Sequence, residues 1–174
     1  MLNKYSRYRV LRVFLQKPTE SFGLREISRL SKLSPPSVIQ YLEEFESDGL
    51  IIKAEKKGVP SYQAARENGD FIFYKKIDIL YEIHNSGLVD YLWQKLSPNA
   101  IILYGSHAKG EATEDSDIDM FIIGKDKEIS LEEFEKKLGR EIHMMFDDNV
   151  RNIPNELKNN LINGSILKGY FKVF

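Results

Sequence analysis

The 174-residue chain contains no cysteine, which excludes disulfides and thiolate metal sites. No stretch has the length and apolarity of a membrane span, and no segment has the pattern of a signal peptide. A folded cytoplasmic protein without a membrane partner is the expectation. There is also no internal repeat and no low-complexity run. The net charge of -1 selects no partner by itself, but the two parts of the chain differ. Residues 1–68 hold 12 Lys+Arg against 8 Asp+Glu, and residues 69–174 hold 13 against 18. A basic first part and an acidic second part fit a polyanion-binding module joined to a carboxylate-rich catalytic or metal-binding one.

What is present is concentrated between Ile101 and Ile123. The apolar run Ile101-Ile102-Leu103-Tyr104 stops at Gly105-Ser106, a polar loop follows, and a second apolar run opens with Asp117-Ile118-Asp119. Strand side chains alternate between faces, so Asp117 and Asp119 share one face while Ile118 and Met120 take the other. Two carboxylates so placed suit a hard cation, Mg²⁺ or Mn²⁺, which completes its shell with water and the phosphates of a substrate. A Gly-Ser turn at the end of the preceding strand offers backbone N–H groups and a hydroxyl to those phosphates. This is nucleotide-handling chemistry.

The pattern resembles the minimal nucleotidyltransferases of the DNA polymerase beta superfamily, whose signature is an apolar strand, Gly-Ser, a spacer of about ten residues and Asp-hydrophobic-Asp. Ten residues separate Ser106 from Asp117, and Ala108, Lys109, Gly110 and Ser116 agree with further positions usual in that family. The resemblance implies a nucleotidyltransferase domain over residues 86–174, a small mixed β-sheet flanked by helices. Asp117 and Asp119 would be its catalytic metal ligands, and Gly105, Ser106, Lys109 and Ser116 its nucleotide contacts. It also implies a further carboxylate on a third strand, expected over residues 141–146. His143 stands where that acid belongs, and Glu141 lies on the same face two residues earlier. Both are catalytic candidates, the imidazole as base or metal ligand and Glu141 if the strand register is shifted. His107 falls in the expected phosphate loop, either against substrate or solvated, and His84 at a helix end reads as a surface residue.

In the N-terminal part, Tyr8, Leu11, Phe14 and Leu15 recur at helical spacing within a helix expected over residues 4–16. A second helix is expected over residues 24–30. Ser34 as N-cap and Pro35 at the first position open a third, which runs to Ser47 and stops at Gly49. Two short strands, 51–56 and 61–65, follow around the turn Lys57-Gly58-Val59-Pro60. Three helices and a hairpin make a winged helix-turn-helix. Residues 5–65 are similar to the winged-helix domains of prokaryotic transcriptional regulators, above all in Leu24 to Ile51. That resemblance implies a DNA-binding face with Ser34, Ser37, Gln40 and Tyr41 near bases and Arg25, Arg29, Lys32, Lys56 and Lys57 near phosphates. The third helix carries no Arg or Lys between Pro35 and Asp48, so base readout by a bidentate arginine is not available from it.

Asn68-Gly69-Asp70 marks a boundary after a domain of residues 1–68. Residues 69–85 form a connector helix with more apolar surface than one face needs (Phe71, Ile72, Phe73, Ile77, Ile79, Leu80, Ile83), suited to packing against both modules or a second copy in a homodimer. Trp93, the single tryptophan, reads as core. The implied fold class is α/β, of the α+β kind. The implied activity is transfer of a nucleoside monophosphate from an NTP, with ATP the expected donor, to a hydroxyl acceptor. A protein acceptor or antitoxin-type partner is one expectation. The rival is a DNA-binding regulator of transcription whose second domain senses nucleotide without turnover, since His143 replaces an acid.

Overall fold

A computed structural model describes residues 2–56, 58–148 and 153–170. The chain divides into two compact units, Met1–Lys75 and Lys76–Phe174. In the first, a short 3₁₀ turn (Leu2–Lys4) precedes α1 (Ser6–Gln16), β1 (Ser21–Phe22), α2 (Leu24–Ser31), α3 (Pro35–Ser47), β2 (Ile51–Lys56) and β3 (Val59–Ala64). Helix α4 (Gly69–Ser86) contains the division between the units. The second unit continues with α5 (Leu88–Leu96), β4 (Ala100–Leu103), α6 (Gly105–Lys109), β5 (Ile118–Ile123), α7 (Glu132–Leu138), β6 (Ile142–Asp147), α8 (Asn155–Ile162) and β7 (Ser165–Gly169).

The first unit closes around Phe14, Phe22, Ile27, Val38, Leu42, Phe45, Leu50 and Phe71, all fully or nearly fully buried. Phe14 and Phe22 meet edge to face with centroids 5.7 Å apart, an arrangement the ring quadrupoles favour. Arg7 ties α1 to α3 through Glu44 and Asp48 at 3.2 and 2.8 Å. The Arg9 guanidinium donates to the carbonyls of Ser31 and Lys32 where α2 ends. Helix α3 ends on Gly49 at φ +70°, with Leu50 N–H bonded to Phe45 O at 2.8 Å. That closure needs a left-handed residue, which glycine adopts freely.

Three expectations for this unit need correction. The first helix starts at Ser6, because Tyr5 is extended (φ -85°, ψ 122°) and separates it from the 3₁₀ turn. Ser34 occupies the N-cap position of α3, but its hydroxyl pairs with Ser37 Oγ at 3.0 Å instead of capping a backbone N–H. The second hairpin strand begins earlier, at Val59, and β1 adds a third strand in the order β1-β3-β2, with Ser21 opposite Gln63 and Phe22 opposite Tyr62. A two-residue strand has no periodicity to read; only its distant partner defines it.

The second unit is a four-stranded mixed sheet in the order β6-β5-β4-β7, with β5 and β6 parallel and the other pairs antiparallel. Both of its faces are covered, which is why β4 is buried at every residue and reads as a continuous apolar run. On one face Ile101, Leu103, Ile118, Met120 and Ile122 pack with Ile83, Leu88, Leu92 and Phe134. On the other, Ile102, Tyr104, Phe121 and Ile123 pack with Ile153 and Leu161. Trp93 packs against the first of these clusters while remaining partly exposed. The edge strand β7 is not among the sequence expectations. Among the described residues no helix is long and apolar enough to cross a membrane.

Candidate functional site

Parallel pairing of β5 and β6 builds the site. The register sets Ile118 opposite Ile142 and Asp119 opposite His143. Ile118 N–H donates to Glu141 O at 2.9 Å just before the ladder begins. Alternation then sends Ile118, Met120 and Ile142 into the core and leaves Asp117, Asp119, Glu141 and His143 on the opposite face of adjacent strands. His143 Nδ1 lies 3.7 Å from Asp117 Oδ2, and its Nε2 lies 3.9 Å from Glu141 Oε2. These separations exceed hydrogen-bond length. One ligand atom each from Asp117, Glu141 and His143 fall within 4.8 Å of one another.

Asp119 is partly enclosed. Burial pushes its carboxyl above the ordinary aspartate range, and neighbouring Asp117 adds to this while His143 opposes it. The end of β4 is shaped around it. Tyr104 N–H donates to Asp119 O at 3.0 Å, and burial, then the charge of Asp119, raises the Tyr104 phenol. Gly105 follows at φ +72°, where an added Cβ would collide with Asp119 Oδ2. The glycine is therefore required twice, for its backbone and for the carboxylate above it.

Sequence reading treats Gly105 onward as a turn and a polar loop; the chain instead forms the short helix α6 from Gly105 to Lys109. That winding buries His107, whose Nε2 lies 3.3 Å from Ser116 O, so His107 is not a solvated loop residue. Gly105 and Ser106 are half-buried, and Lys109 is exposed at the helix end. Ser116 Oγ accepts from Thr113 N–H at 2.8 Å, closing the loop that delivers Asp117.

Arg140, absent from the sequence expectations, holds this loop from outside. Its Nη1 donates to the carbonyls of Thr113, Glu114 and Ser116 at 2.8, 2.9 and 2.8 Å. Burial lowers its pKa, against Glu114, Asp78, Asp115 and Asp117, which favour the cation. A basic residue directly before the third strand was the available signal, but the loop it serves lies more than twenty residues earlier. In the first unit, Arg25, Arg29 and Lys32 are exposed, and Arg25 and Arg29 share one face of α2 by their spacing. Ser34, Ser37 and Gln40 stand at the start of α3, where Gln40 Nε2 lies 3.5 Å from Glu44 Oε1, and Tyr41 is partly buried against the core. Lys56 ends β2, and Lys57 lies outside the described residues.

Two consequences are measurable. Arg140→Ala strips three carbonyls of a charged donor, and we expect a loss of about 2–3 kcal/mol in denaturant unfolding, with faster hydrogen exchange over residues 112–117. For Asp119, a folded pKa above the unfolded value means that the ionised form costs stability. This cost is absent below the ordinary value of 3.8 and complete above the folded pKa. Asp119→Asn should therefore raise the melting temperature of the metal-free protein at pH 7 by about 1–3 °C, a gain that disappears as pH approaches that of an ordinary aspartate. A lower melting temperature at pH 7 would show that attraction, not burial, dominates at this carboxylate.

Among curated proteins no match is found. A solved structure described as "Crystal structure of the toxin-antitoxin with AMP-PNP" is similar at 20% identity, covering 49% of this chain and 74% of that chain with a TM-score of 0.37. That likeness is too loose to carry a shared mechanism. The family model "Polymerase beta, Nucleotidyltransferase" matches residues 86–169, the span from the end of α4 through β7. Those residues are similar to that nucleotidyltransferase family.

Proposed function

We propose that this protein transfers a nucleoside monophosphate from an NTP, with ATP the expected donor, to a hydroxyl acceptor. The observation that carries the reading is the pair Asp117 and Asp119 on one face of β5, with Asp119 lying over the space left by the missing side chain of Gly105. The family match at residues 86–169 supports it. Carboxylate oxygens are the hard donors that Mg²⁺ takes, so the residues present fit that ion. Asp117 and Asp119 would hold it, and when bound it supplies charge neutralisation and alignment of the triphosphate.

The remaining work falls to the chain. Gly105 and Ser106, at the start of α6, seat the distal phosphates, with Lys109 as a cationic contact and Ser116 holding the loop beside them. In the transfer, a bond forms between the acceptor oxygen and the α-phosphorus while the bond to the bridging oxygen breaks, and pyrophosphate leaves. The acceptor proton passes to His143 or Glu141 on the exposed β6 side of the site. The openness of that side suits a large acceptor, such as a hydroxyl on a protein partner of antitoxin type.

Calorimetry with ATP and Mg²⁺ tests the site. Binding should fall at least about tenfold on removal of Mg²⁺ and again in the Asp117→Ala, Asp119→Ala double variant. Equal affinity in all three would refute the assignment. Binding without transfer of label from any NTP, alone or with cell extract, would favour a nucleotide-sensing regulator, which the imidazole in place of an acid already suggests.

The first unit is read as a winged helix on duplex DNA. Exposed Arg25, Arg29 and Lys32 beside the polar start of α3 support it, with Ser34, Ser37 and Gln40 toward bases; Lys56 and Lys57 keep the role in phosphate binding that the resemblance implies. The expected result is DNA binding by the full chain that weakens steeply with salt, each phosphate contact contributing about 0.9 to the log–log slope. Absence of binding at low salt would move this unit to protein interaction.

A further inference from the structure

We infer that Asp117, Glu141 and His143 form a binding site for a borderline transition cation, Zn²⁺ foremost, that fills without nucleotide. It deepens the nucleotidyltransferase reading by specifying which ion the third-strand residues select, but its geometry stands independently of turnover.

The donor set is one imidazole nitrogen and two carboxylate oxygens. Two carboxylates without a third protein ligand leave Mg²⁺ dependent on phosphate and water. Adding an imidazole changes the preference, because nitrogen donors suit Zn²⁺ and related ions and the affinity order for such sites rises from Mn²⁺ toward Zn²⁺. The three ligand atoms lie within 4.8 Å of one another. Tetrahedral ligands about 2.1 Å from Zn²⁺ sit about 3.4 Å apart, so small rotamer movements of side chains close the site. Such movements are unhindered here, since the side chains of Asp117, Glu141 and His143 are 41%, 79% and 58% exposed.

The backbone beneath them is fixed. Ile118 N–H bonds Glu141 O at 2.9 Å, the ladder sets Ile118 opposite Ile142, and Arg140 clamps the loop entering Asp117. The present distances also show an imidazole between two carboxylates without a direct hydrogen bond to either, 3.7 Å from one and 3.9 Å from the other. A cation that takes one ring nitrogen and one oxygen from each carboxylate meets the three residues through one ligand atom apiece. Three protein ligands leave a fourth position open, the arrangement of sites that exchange water or substrate. Asp119 is not one of the three, so the site shares only Asp117 with the Mg²⁺ pair.

The test uses the full chain without nucleotide. Calorimetric titration with Zn²⁺, Mn²⁺ and Mg²⁺ in separate runs should give one Zn²⁺ per chain, bound at least about a hundredfold more tightly than Mg²⁺. Co²⁺ should give visible absorption bands of low coordination number. His143→Ala should weaken Zn²⁺ at least about tenfold and abolish the Co²⁺ bands, and Glu141→Gln should weaken Zn²⁺ as well. His143→Asp should narrow the gap between Zn²⁺ and Mg²⁺, a shift that a folding defect would not produce. Similar affinities for Zn²⁺ and Mg²⁺, or Zn²⁺ binding unchanged in His143→Ala, would overturn the inference. The transferase reading fails separately, in the titration with ATP and Mg²⁺.

Discussion

The space above Gly105 is the constraint on which the site depends. An Asp119 carboxylate pointing back over the end of β4 is sterically compatible only with a residue that has no Cβ. The same residue must adopt φ +72° so that the chain can leave the sheet and wind at once into α6. One missing methyl group thus leaves room for the carboxylate, and the same glycine supplies the backbone conformation that opens α6. The glycine of Gly105-Ser106 is a packing and backbone requirement in its own right.

Holding the carboxylates costs stability, and the fold offsets that cost locally. Asp119 is partly desolvated beside Asp117, so its charged form is disfavoured. The compensation is backbone order: Arg140 gathers three carbonyls, Ser116 closes its own turn, and Glu135 Oε1 accepts from Ile142 N–H at 3.0 Å at the start of β6. Each of these groups adjoins, in sequence or through a hydrogen bond, one of the two strand segments whose shared face carries the four polar residues. They fix where that face is, which is the condition for placing charge accurately.

Legibility in the sequence followed the range of the interactions. Alternation from Asp117 to Ile123 and helical spacing in α1 and α3 are local, and the corresponding elements formed within a residue or two of expectation. The pairing of β1 with β3, the β7 edge and the reach of Arg140 to Thr113 depend on partners far along the chain, and no local period encodes them. Helix α6 was hidden for another reason. Five residues beginning with glycine look like a turn, and only the closure of Gly110 N–H onto His107 O, with burial of Ala108, makes them helical. In the candidate site, Asp117, Asp119, Glu141 and His143 were all candidates in the sequence, whereas the approach of Glu141 and His143 to Asp117 follows from the parallel register.

That register gives the histidine its significance. A carboxylate at the third position has two oxygens and several lone pairs, enough to hold an ion and accept a proton together. Neutral imidazole has a single ring lone pair available. If His143 receives the acceptor proton, it cannot at that moment ligate a cation, and if it ligates, the proton must go to another group. On the proposed reading, an imidazole at this strand position couples two properties that would be independent at an acidic site, the identity of the bound ion and the route of the acceptor proton. In the proposed reaction, Glu141, 3.9 Å from the ring and likewise exposed, is the second group within reach to take that proton.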